Sequence, residues 1–230
     1  MKEIYSKEEI KKLYDKLDYK GNFGDVSDDL FYEALKITGK EYDQKEYIEF
    51  FPEFLKEVEK STKEGVESIF SGEKTTKEKI LIVIDLVKKL NKEYLLKKFE
   101  GKLDEQVAER IVEYGYTHGG CVSLQYTLKL LFPECNPKFF QCNYAHKCVE
   151  LNGMYYDITG ASTEKEMMDF VIKEGGNPGK ICTISDNTKD CMKSDGPQSY
   201  FEYALCKIIK EKEYSLYLKH KTDDDMQSGL

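Results

Sequence analysis

His146-Lys147-Cys148-Val149-Glu150-Leu151-Asn152-Gly153-Met154-Tyr155-Tyr156-Asp157 is the stretch that decides the fold. Asn152-Gly153 sits inside an alternating run that extends over residues 139–160. That dipeptide is the strongest short hairpin signal, because the tight turn joining two strands needs positive φ at both central residues. With Asn152 and Gly153 as the loop, Leu151 faces Met154, Glu150 faces Tyr155 and Val149 faces Tyr156. The same count sets Cys148 opposite Asp157 and His146 opposite Thr159. Side chains alternate between the faces of a strand. His146, Cys148, Glu150, Tyr155, Asp157 and Thr159 therefore share one face, with His146 and Asp157 as diagonal neighbours. Val149, Leu151, Met154, Tyr156 and Ile158 share the other, with Lys147 at its rim. The second face is the expected core side, which leaves the polar face pointing away from the core.

Upstream lies His118-Gly119-Gly120-Cys121. Tyr114 to Gly120 reads as a loop, and a helix is expected from Cys121 to about Phe132. A thiol that opens a helix sees the positive end of the helix dipole, which favours the thiolate. Gly119 and Gly120 allow close approach of a substrate backbone, and the first-turn N–H groups are available to an oxyanion. His118, three residues before Cys121, is a rival base, although a base usually comes from a separate element.

The first 115 residues read as helical and charged. Expected helices span about 7–17, capped by Ser6, and Ser27 or Asp28 to Gly39. Others span Lys45–Lys60 with Pro52 as a kink or a start, Thr75 or Thr76 to about Asn91, and Leu103–Tyr114. Lys88, Lys89, Lys92, Lys97 and Lys98 read as a solvated helix face. After the hairpin come a helix at Thr163–Glu174, a short strand at Ile181–Ser185, a polar loop at Asp186–Pro197 and a last helix from Tyr200 to about Lys212. A calcium loop at Asp18–Asp29 fails, because its sixth position is Phe23 where glycine is needed. Three regions follow: a helical one at 1–114, a mixed one at 115–220 and an acidic, frayed tail at 221–230. The fold class is α+β.

Charge and cysteine usage exclude several functions. The chain has 230 residues, with 35 Lys+Arg against 43 Asp+Glu and a net charge of −8. That balance argues against nucleic-acid binding, which needs a basic face. The apolar run Ile80–Ile84 is too short to span a bilayer and Met1–Ser6 has no apolar signal core, so a cytoplasmic location is expected. Seven cysteines at irregular spacings read as free thiols. Cys135, Cys142, Cys182, Cys191 and Cys206, and Cys148 likewise, are read as small buried hydrophobes. Cys135, Cys142, His146 and Cys148 lack the tight paired spacing of a structural zinc site. No metal and no cofactor is expected.

Gly-Gly-Cys opening a helix, followed by a histidine on a strand before the hairpin, resembles the papain-like cysteine hydrolases. The transglutaminase-like branch is the nearer likeness. The resemblance covers roughly residues 115–165. It implies the chain order Cys121, His146, Asp157 as catalytic set, with His118, Gly119 and Gly120 as the oxyanion and substrate loop. It implies acyl transfer from an amide through a thioester, with a protein or peptide as substrate. The family's oxyanion glutamine has no clear counterpart; Gln106 is the nearest candidate. The other reading is a non-catalytic interaction module on the same scaffold, with the tyrosine-rich helical half docking a partner protein. The sequence does not give the oligomeric state.

Overall fold

A computed structural model describes residues 44–99, 102–175, 182–193 and 200–227. The helices expected at 7–17 and 27–39 and the rejected calcium loop lie outside the described residues. The elements, in chain order, begin with α1 (Gln44–Phe70), α2 (Thr76–Lys98), α3 (Glu105–Thr117) and α4 (Cys121–Leu131). They continue with β1 (Asn136–Gln141), β2 (Ala145–Leu151), β3 (Met154–Asp157), β4 (Gly160–Ser162) and α5 (Glu164–Glu174). β5 (Thr183–Asp186), α6 (Thr188–Lys193) and α7 (Tyr200–Gln227) complete the described elements. The architecture is mixed: the described part of the N-terminal half is helical, and one antiparallel five-stranded sheet follows in the order β4-β3-β2-β1-β5.

Local chemistry sets most helix boundaries. Thr75 caps α2 in a full capping box with Glu78, and Thr163 caps α5 in another with Glu166. Asp104 caps α3 by accepting from the Val107 N–H at 2.8 Å. Several helices run beyond their expected ends, and buried contacts accompany the extensions of the first three. α1 passes through Pro52 and continues to Phe70, where Val66 and Ile69 are buried. α2 continues past Asn91, whose buried amide donates to the Val87 carbonyl and to the Tyr116 hydroxyl. α3 absorbs Tyr114 to Thr117, which the sequence reads as loop. Both tyrosines are buried there, and the Thr117 hydroxyl turns back onto the Glu113 and Tyr114 carbonyls. α6 forms inside the expected Asp186–Pro197 loop, with Cys191 buried. α7 passes Lys212 and runs through 221–227, where a frayed tail was expected.

Lys88 also departs from expectation. It is not on a solvated face; its ammonium lies 2.7 Å from the buried Glu113 carboxylate. No described helix is long and apolar enough to cross a membrane.

The hairpin register is the one counted from Asn152-Gly153: Leu151 pairs with Met154, Glu150 with Tyr155 and Val149 with Tyr156. Asn152 has φ 54° and Gly153 φ 78°, the paired positive values that this turn demands. The β2–β3 ladder ends at Val149 and Tyr156, so the expected pairing of Cys148 with Asp157 is not part of it. Ile158 and Thr159 turn into β4, so Thr159 does not face His146. His146 instead pairs with Phe140 of β1.

Both faces of the sheet are covered. Val149, Tyr156 and Ile158 join the main core with Leu124 and Leu128 of α4, Val83 and Val87 of α2, and Leu205 of α7. The expectation that the opposite face points away from the core is corrected. Phe140, Cys148 and Tyr155 pack there against Met167, Phe170 and Val171 of α5 in a second cluster. The spacing of three and four along α5 gathers those three side chains on one stripe. His146 and Asp157, on the part of this face that α5 covers, are therefore buried and must find partners.

Candidate active site

Cys121 is the first residue of α4, with Gly120 as N-cap and no side-chain cap. Its thiol is 6% exposed and lines an open cavity of about 350 Å³. Gly119 and the side chains of Tyr114, His118, Phe139, Tyr144 and Lys147 border the same cavity. α4 is anchored beneath the sheet by Gln125, one turn beyond Cys121 on the same side of the helix. Its amide nitrogen donates to the Lys138 carbonyl at 2.8 Å and to the Cys148 carbonyl at 2.7 Å. Its amide oxygen accepts from Asn187 at 2.6 Å. One buried side chain thus ties α4 to β1, β2 and the entrance of α6, which fixes where the helix start meets the strands.

His146 is fully buried on β2, and its Nε2 lies 2.8 Å from Asp157 Oδ2. Asp157 Oδ1 accepts from the Thr159 N–H at 2.8 Å and from the Thr159 hydroxyl at 2.6 Å. Both carboxylate oxygens are engaged, and the histidine has one fixed neighbour on Nε2. Its Nδ1 is buried and makes no hydrogen bond of standard geometry. The nearby group that acts on that ring is the Cys121 thiol.

The three titrations move together. Burial alone would raise the Cys121 pKa, but hydrogen bonding and charge from His146, with the Lys147 N–H and charge, carry it below the ordinary thiol value. Burial alone would lower the His146 pKa; Asp157 and Cys121 override it and take it up to about 10. Burial opposes ionisation of Asp157 as well, yet His146 and Thr159 hold its carboxyl below the usual range. The direction in all three is toward a thiolate, an imidazolium and a carboxylate. Five other thiols go the opposite way. Burial pushes Cys135 and Cys206 up to about 12 and Cys191 up to about 11, and raises Cys148 and Cys182.

The rest of the expected loop behaves differently. His118 caps the C-terminal end of α3 and stacks on Tyr114 at 3.9 Å between ring centroids. Its Nδ1 lies 3.1 Å from the Tyr114 carbonyl and its Nε2 lies 3.3 Å from the Glu174 carboxylate. Both ring nitrogens are occupied, so the structure gives His118 the lining of the cavity rather than the place of a base. Gln106 is exposed on the first turn of α3, eleven residues and so ~16 Å along the helix from Thr117, and it is no oxyanion donor. Among the described residues no group of three or more His, Cys, Asp or Glu could hold a metal ion.

Two residues were missed. Tyr144 stacks near-parallel with His146, 6.4 Å between centroids and 12° between planes, and its hydroxyl donates to the Thr117 carbonyl. It closes the solvent side of the imidazole, and no sequence pattern marks it because its position depends on the β1–β2 turn. Gln125 carried a weak signal, as a polar residue four after the cysteine on a helix that must be buried.

The family model described as Phage YunG-like protein matches residues 95–192, less than half of the chain, and that span contains Cys121, His146 and Asp157. No curated protein and no solved structure matches this chain.

Proposed function

We propose that this protein is a cysteine-dependent amide hydrolase or acyl transferase working through a thioester, on a papain-like arrangement of helix and sheet. The observation that carries the reading is the two-sided histidine: Asp157 on Nε2 at 2.8 Å, and a buried Nδ1 that has no partner of standard geometry, on the ring that lowers the Cys121 pKa. A buried nitrogen without a well-formed hydrogen bond costs free energy in a merely structural role. It is what a proton-transfer atom needs before substrate arrives. This favours chemistry over the interaction-module reading.

The steps balance as follows. The Cys121 thiolate attacks the amide carbonyl, forming a C–S bond while the C=O electron pair moves onto oxygen. The intermediate collapses, the C–N bond breaks, and the leaving nitrogen takes the proton held on His146 Nδ1. Water, or an amine in the transfer reaction, then attacks the thioester carbonyl and gives its proton to His146. The C–S bond breaks and the thiolate is restored. Asp157 holds the imidazole orientation and steadies the imidazolium.

Iodoacetamide at pH 6, with peptide mapping, tests the nucleophile without a known substrate. Cys121 is expected to react roughly tenfold or more faster than the other six thiols, since only a thiolate reacts and its own nucleophilicity falls with its pKa. His146→Gln should remove that advantage. Equal labelling of all seven thiols overturns the reading.

A further inference from the structure

Lys147 follows His146 on β2, so strand alternation sends its side chain to the opposite face, the one on which α4 packs. There it lines the Cys121 cavity. Its ammonium lies 5.8 Å from the centre of the Phe139 ring, and no described carboxylate pairs with it. No described carboxylate lines the cavity either. His118, which also lines it, is already beside Glu174. A molecule of net charge −8 thus keeps one half-buried ammonium, without an ion-pair partner among the described residues, at the mouth beside its candidate nucleophile. The remaining lining is largely aromatic: Tyr114, Phe139 and Tyr144. An ammonium above apolar rings suits a ligand with a flat or aliphatic stem and an anionic end.

We infer that Lys147 is a specificity-determining residue that selects substrates bearing a carboxylate close to the scissile amide. This rests on the proposed thioester chemistry, since it names the substrate class of that same site. The carboxylate pairs with the Lys147 ammonium while its stem packs on Phe139 and Tyr144. A carboxylate offered by an acidic side chain and one offered by a free C-terminus present the same charge to Lys147.

The test uses the full chain and two alkylating agents of similar size, anionic iodoacetate and neutral iodoacetamide. In each, the Cys121 thiolate displaces iodide. Second-order rates for Cys121 are measured in the wild type, Lys147→Gln and Lys147→Arg. Each variant is read at a pH above its own thiol titration, so that a changed thiol pKa does not enter. The iodoacetate-to-iodoacetamide ratio should fall about tenfold in Lys147→Gln, the size of a unit charge pair roughly 4 Å apart with screening close to that of water. Lys147→Arg should keep it, and added salt should erode it in the wild type. A ratio unchanged in Lys147→Gln overturns the inference. Fast Cys121 labelling with that unchanged ratio spares the nucleophile reading, whereas Cys121 labelling no faster than the other thiols overturns the reading itself.

The two sources of carboxylate are separated by protecting Cys121 from iodoacetamide. N-acetylglutamate α-amide carries only the side-chain carboxylate, and N-acetylglutamine only the terminal one. Protection by either that is lost in Lys147→Gln supports the inference and identifies the source. Equal protection by the uncharged N-acetylglutamine amide overturns it.

Discussion

His146 Nε2 and Asp157 Oδ2 lie 2.8 Å apart although the two residues are not opposite each other in the ladder. The contact is diagonal, across β2 and β3, and both groups are almost fully buried. A diagonal pair is within reach of a long side chain and a carboxylate. Thr159, at the turn beyond β3, holds the second carboxylate oxygen and so aims the first.

Asp157→Asn therefore tests geometry and charge together. The Thr159 donors fix the amide oxygen where Oδ1 now sits, which points the amide N–H at His146 Nε2. That nitrogen must then accept, so the neutral ring carries its proton on Nδ1 and cannot take one there. Cys121 alkylation at pH 7 should fall about 100-fold or more. Loss of the carboxylate also lowers the His146 pKa and raises that of Cys121, so the window holding both thiolate and imidazolium narrows from both sides. A pH–rate profile identical to the wild type contradicts this.

Cys121→Ala should abolish turnover on any substrate the wild type accepts, while the melting temperature changes little. The side chain is small and borders an open cavity, so its loss costs about 1 kcal/mol or less. Differential scanning calorimetry beside an activity assay checks both halves. Turnover near wild type by this variant rejects the nucleophile.

Gln125→Leu keeps the volume but strands three polar groups: the Lys138 and Cys148 carbonyls and the Asn187 amide. Each buried, unsatisfied group costs roughly 1–3 kcal/mol, so a loss of about 3 kcal/mol or more is expected in urea melts. Gln125→Glu should also destabilise, because it replaces a donor with a charge facing two carbonyls. A stability within 0.5 kcal/mol of wild type, on the order of an ordinary surface change, sinks the anchoring role.

Glu202 of α7 is buried behind α4, where Ser123 donates to it and Tyr116 also hydrogen-bonds to it. Burial raises its carboxyl to about 8 despite those two donors. Glu202 in turn raises the thiol of Cys206, one turn on, whose own burial keeps it neutral at neutral pH. The sign follows from proton counting. Between the unfolded value near 4.5 and the folded value near 8, the folded state binds more protons, so stability is full below that window and declines as pH rises through it. At pH 7 this linkage costs up to about 3 kcal/mol. Glu202→Gln should be more stable than the wild type at pH 7–9 and nearly equal at pH 4. Parallel pH dependences of the two melting curves rule the effect out.

The sequence by itself determined the hairpin, its register and the sharing of one face by His146, Cys148, Tyr155 and Asp157. These follow from a two-residue loop with one allowed geometry and a side-chain period of two. It also determined that Cys121 opens a helix, since two glycines end one element and an apolar-periodic run begins the next. Three things were decided only in three dimensions. The polar face is buried because α5 lies across it, and nothing in the strands records where a later helix docks. Helix ends at Thr117 and Lys98 exceed their local signals because packing and buried hydrogen bonds, not propensity, extend them. Tyr144 and Lys147 reach the Cys121 cavity because the β1–β2 turn and the seat of α4, fixed by Gln125, bring together residues that share no spacing in the chain.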